Sequence, residues 1–85
     1  MKKEIIKFLD YLKAATRRAS ARNFAREADA LGALHQAVGR LLASPAEGEH
    51  VRGALEALAG VNPRRARALR PAIDRLLGRR EGSRA

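Results

Sequence analysis

Nineteen side chains are all this chain offers for building an interior: 11 Leu, three Ile, three Val and two Phe, in 85 residues. Hydrophobic residues make up 46% of the sequence, but 18 of them are alanine. Small domains bury a modest share of their surface, so this supply supports one domain. Cysteine is absent, which removes disulfides and cysteine-based zinc sites as staples. With neither staple available, a homo-oligomer is one expected route to extra buried area.

The apolar residues recur at helical spacing and show no strand-like alternation. Ala, Leu, Arg and Glu dominate, the residues that lose least entropy in a helix. The expected fold is therefore all-α, a small four-helix bundle over residues 1–80 with a disordered tail at 81–85. The first helix covers about residues 3–19, with Ile5, Phe8, Leu9, Leu12, Ala15 and Ala19 forming one stripe. The stripe slips after Ala19, because its continuation would bury Arg22 or Arg26. A break at Ser20–Asn23, with Ser20 or Asn23 as N-cap, resets the phase. The alternative is one continuous helix from Lys3 to Ala43.

The second helix is expected over about 23–43, with Phe24, Leu31 and Val38 on one inward line. Gly32 and Gly39 each follow a member of that line and suggest close approach of another backbone. Ser44-Pro45-Ala46-Glu47 is a helix-start signal for a third helix over about 45–59, with Val51, Leu55 and Leu58 inward. The strongest punctuation is Gly60-Val61-Asn62-Pro63. Gly60 suits the left-handed C′ position, Asn62 the next N-cap and Pro63 the first helical turn. The fourth helix follows over about 63–78. Ala66, Leu69, Ile73, Leu76 and Leu77 stay in phase across Pro71, which kinks that helix rather than ending it.

Charge carries the functional signal. The chain has a net charge of +9, and from Val61 to Ala85 eight arginines meet only Asp74 and Glu81. Such an imbalance implies an anionic partner more readily than it implies chemistry. On a helical wheel Arg64, Arg67, Arg75 and Arg79 fall opposite the apolar stripe, with Arg65 and Arg70 at its flanks. An i,i+4 pair such as Arg70–Asp74 would offset part of this charge. The third helix is the only acidic element.

Enzymatic activity is not expected. His35 and His50 lie on different predicted helices, and no nucleophile pair, Gly-rich phosphate loop or supported carboxylate pair is present. No cofactor and no metal is expected. No apolar run reaches the length of a membrane span, and lysines interrupt the first apolar stretch, so the chain reads as cytoplasmic. Phe8, Tyr11 and Phe24 are the only aromatic residues, and placing both Phe in the core leaves no platform for stacking bases.

The segment Leu58-Ala59-Gly60-Val61-Asn62-Pro63-Arg64-Arg65-Ala66-Arg67-Ala68-Leu69 resembles the hairpin of helix-hairpin-helix DNA-binding modules. Leu58, Gly60, Val61, Pro63, Ala66 and Leu69 match that pattern, and Asn62 stands where the second glycine belongs. The resemblance implies that main-chain N–H groups of the corner and the helix start hold a phosphate, and it implicates Gly60, Asn62, Arg64 and Arg65. The expected nucleic-acid-binding set is Gly60, Asn62, Arg64, Arg65, Arg67, Arg70, Arg75 and Arg79. The first functional expectation is a nucleic-acid-associated protein that holds duplex phosphates with little sequence specificity. The second is a protein–protein adaptor or regulatory subunit whose basic face meets an acidic partner or an oligomer mate.

Overall fold

The computed structural model describes residues 2–44 and 48–81, with side chains through Gly78. It consists of four helices: α1 (Lys2–Ala21), α2 (Ala25–Ala43), α3 (Gly48–Val61) and α4 (Pro63–Glu81). The expected bundle is present, and α1 and α2 are separate helices. Each helix packs extensively on the next in sequence. Side chains of α4 also meet α1 in an antiparallel sense, Arg65 near Tyr11 at one end, with Arg75 and Leu76 beside Glu4 and Lys7 at the other.

The scarce large side chains are concentrated in one core. Ile5, Phe8 and Leu12 of α1 meet Leu31, Leu34, Val38 and Leu41 of α2, closed by Val51, Leu55 and Leu58 of α3 and Leu69, Ile73, Leu76 and Leu77 of α4. Fully burying one such side chain contributes roughly 1.5–3 kcal/mol. Ala15, Ala19, Ala30 and Ala37 are buried as well. Small side chains on these helix faces are therefore alanines, not the glycines expected to mark close contact. A Cβ built on Gly32 meets nothing within 4 Å, and one on Gly39 meets only the tip of Leu9 at 4.0 Å.

The α1–α2 break is made from the C-terminal side. The Asn23 N–H donates to Ser20 O at 3.0 Å, and the Phe24 N–H donates to Ala19 O at 2.8 Å. This pair of bonds is the Schellman motif, which needs a left-handed residue at C′. Asn23 is that residue, with φ of 64°. Asn tolerates this conformation better than other non-glycine residues. The expected N-cap role of Ser20 or Asn23 is therefore corrected: Phe24 occupies the N-cap of α2 and makes no side-chain cap bond. The reset also moves Phe24 off the inward line. It is 51% exposed, against the expected burial.

The second corner also differs from expectation. Gly60 is not left-handed, and no described glycine has positive φ. α3 instead continues through Gly60 to Val61, leaving Asn62 as the whole connection. Its N–H donates to Leu58 O at 2.7 Å, completing α3, while its own carbonyl accepts from the Ala66 N–H at 3.1 Å, opening α4. Pro63 has a fixed φ suited to a first helical turn, so no glycine is needed. α4 runs through Pro71 and three residues beyond the expected end. Pro71 and Arg67 are both exposed, so water can satisfy the Arg67 carbonyl that Pro71 leaves without a donor. The expected start signal at Pro45–Glu47 and the tail beyond Glu81 lie outside the described residues.

Two stability outcomes follow from these corners and glycines. Gly32→Ala should raise stability by about 0.5–1 kcal/mol, because it gains helix propensity and meets no neighbour. A lowered urea midpoint would show that a close contact exists there after all. Asn23→Val should cost about 1–2 kcal/mol, since a β-branched residue is strained at positive φ, and Asn23→Gly should not. Equal melting temperatures for the Val and Gly variants would contradict the Schellman reversal.

Candidate nucleic-acid interface

Asn62 and Arg65 are committed to the fold. Asn62 Oδ1 accepts the Arg65 N–H at 3.1 Å, the N-cap bond of α4. Asn62 Nδ2 donates to Glu27 Oε1 at 2.9 Å. Arg65 Nε lies 3.5 Å from Glu27 Oε2, and its Nη1 donates to Tyr11 Oη at 3.2 Å. Glu27 is the one buried charged residue among those described. Its two oxygens are thus held by two groups from the start of α4, and Tyr11 ties the same arginine to α1. A buried carboxylate needs such partners, because its desolvation is not otherwise offset.

This cluster bears on the phosphate cradle implied for the Gly60–Arg65 corner. Of the main-chain donors there, the N–H groups of Asn62, Arg65 and Ala66 are used within the chain, and Pro63 has none. Gly60 is exposed in the last turn of α3. The Arg64 N–H is the main-chain donor left over in the first turn of α4 among the described residues, so an anion at this corner would be met by it and by side chains.

Arg64, Arg67, Arg70 and Arg75 present a different picture. All four are exposed, and among the described residues none of their side chains takes part in an ion pair or hydrogen bond. The expected Arg70–Asp74 pair does not form. Such a pair on a solvated helix stabilises by only a few tenths of a kcal/mol, too little to hold two mobile side chains together. At 100° per residue the four span about 140° of the solvent side of α4, with Arg64 and Arg75 nearly in line, three turns apart. The side chain of Arg79 lies outside the described residues.

The fold adds arginines that sequence reasoning placed in no site. A cleft of about 450 Å³ opens at the end of the bundle where the two corners meet. It is lined by Arg18, Ala19 and Arg22 from the end of α1, Phe24 and Glu27 from the start of α2, and Asn62, Arg64 and Arg65 at the start of α4. The available signal was the run Arg17, Arg18, Arg22 and Arg26, straddling the point where the apolar stripe loses phase. Arg67, Arg70 and Arg75 continue along α4 away from this cleft.

His35 is half-buried and His50 exposed. Among the described residues no three His, Asp or Glu side chains converge, and no helix is long and apolar enough to cross a membrane. The chain matches no known family model, no curated protein and no solved structure.

The Asn62–Glu27 bond has a distinguishing consequence. Asn62→Ala should lower stability by about 1–2 kcal/mol through loss of the cap. Asn62→Asp keeps a good cap but brings a second carboxylate against Glu27, so it too should be less stable than wild type in urea titration. Wild-type stability of the Asp variant would mean that Asn62 acts as a cap alone.

Proposed function

We propose that this protein associates with nucleic acid by binding the duplex phosphate backbone with little sequence specificity. The observation that carries the reading is the set of exposed arginines on α4, Arg64, Arg67, Arg70 and Arg75, which no carboxylate of the chain neutralises among the described residues. Like charges on one helix repel, and an anionic lattice relieves that repulsion. Each guanidinium that meets a phosphate also releases condensed counterions, the main source of sequence-independent affinity.

The geometry suits a backbone track. Arg64 and Arg75 are eleven residues apart, about 16 Å along the axis of α4, roughly five phosphate spacings of one strand. Guanidinium–phosphate contacts position a protein on a duplex without reading its sequence. Arg65, although basic, is excluded from this set because Glu27 and Tyr11 hold it. Its part is to fix the start of α4, and thereby the direction in which the other arginines project.

Fluorescence anisotropy with unrelated duplexes of about 20 base pairs tests this reading. Four phosphate contacts predict affinity falling on the order of a hundredfold between 50 and 200 mM salt. Substituting Arg64, Arg67, Arg70 and Arg75 together by Glu should abolish binding while leaving helicity intact. Absence of binding at the lower salt would remove the proposal, and binding retained by the quadruple variant would place the contact elsewhere.

A further inference from the structure

We propose that the end of the bundle at the α1–α2 reversal is a subsite for an unpaired nucleotide, such as an overhang or gap presents, adjoining the α4 track and sharing Arg64 with it. Phe24 would stack on its base, while Arg18, Arg22 and Arg64 hold its phosphates. The proposal rests on the nucleic-acid reading above and adds a preference that the α4 track does not supply.

The first support is Phe24 itself. A chain this short of large apolar side chains leaves one of its two phenylalanines 51% exposed, the most exposed of the large hydrophobic residues among those described. Phe24 also lines two adjoining recesses. One is the 450 Å³ cleft with Arg18, Arg22 and Arg64, and the other, about 400 Å³, contains Asn23, Arg26 and Val61. Val61 is itself 42% exposed, so the ring belongs to a small apolar patch rather than standing alone.

The second support is charge. Arginines from α1, α2 and α4 surround this patch, and the carboxylate lining both recesses is Glu27. Glu27 is already engaged by Asn62 and Arg65, so it does not neutralise Arg18, Arg22 or Arg64. The side chains of those three make no ion pair or hydrogen bond among the described residues. An aromatic face beside uncompensated guanidiniums matches a nucleotide: a flat base that stacks and a phosphate that accepts forked hydrogen bonds. The cleft falls in the size range of small-molecule sites. Bases inside a duplex are stacked on each other and offer no free face, so only an unpaired nucleotide can use Phe24.

The test compares two fluorescein-labelled DNAs with the full chain: a duplex whose ends are both closed by non-nucleotide linkers, a dumbbell without unpaired bases, and the same duplex opened at one end to carry a short 5′-phosphorylated overhang. The overhang substrate should bind at least about fivefold more tightly, the low end of the contribution from stacking one base. Phe24→Ala should erase that preference and leave dumbbell affinity unchanged, while Phe24→Trp should retain it and show quenched indole fluorescence on binding. Circular dichroism on each variant confirms that the fold is intact. Equal affinity of the wild-type chain for both DNAs overturns the subsite but leaves the α4 track standing. Binding to the overhang without binding to the dumbbell removes the duplex reading and keeps the subsite. Phe24-dependent binding of an acidic, phenylalanine-containing peptide, with no preference for the overhang, overturns the subsite in favour of a protein partner.

Discussion

The Glu27 carboxylate is the fixed point on which the arrangement of the arginines depends. It is buried at the first turn of α2, and both of its oxygens point to the first residues of α4. Removing its partners would leave a buried charge unpaired, which costs far more than an exposed pair gains. The contact therefore sets where α4 begins relative to the α1–α2 reversal. It brings two chain corners, far apart in sequence, to the same end of the molecule, and so gathers Arg18, Arg22 and Arg64 around one cleft.

The same contact divides the arginines into two kinds. Arg65 spends its charge inside the protein, on Glu27 and Tyr11. Arg64, its neighbour, sits one helical step around and reaches solvent with no partner among the described residues. Adjacent residues in one basic run thus have opposite roles, structural and available. Counting charge along the segment could not separate them, because the separation comes from a glutamate 38 positions away in the chain.

The helices themselves were readable because their apolar residues keep a strict period. Val51, Leu55 and Leu58 in α3 and Ala66, Leu69, Ile73, Leu76 and Leu77 in α4 are buried as their spacing requires. The errors gather at the corners, where single hydrogen bonds decide. Gly60 carries the strongest left-handed preference of any residue type, yet it is helical, because Asn62 and Pro63 together make the corner in one residue. Asn23 carries a weaker preference, yet it takes the left-handed position. For the candidate site, the α4 arginines could be placed from the helical wheel. Arg18, Arg22 and Phe24 could not, since only the tertiary meeting of the two corners makes them neighbours.

Phase is the common thread between the fold and the proposed subsite. Had α1 continued unbroken, its apolar stripe would have carried Arg22 or Arg26 into the core, at a desolvation cost no partner could offset. The Schellman reversal at Asn23 avoids this and turns those arginines to solvent. It also has a cost: Phe24, the hydrophobic residue following the left-handed position, is carried out of the α2 inward line and left half in water. A reversal with a smaller residue at that position would close as well, since the motif needs only the Phe24 main-chain N–H and a modest apolar contact near Ala19. The backbone therefore explains why something apolar follows Asn23, but not why it is an aromatic ring. The proposed nucleotide subsite would give that ring a role, with a base stacked on it beside the arginines that the same reversal exposes.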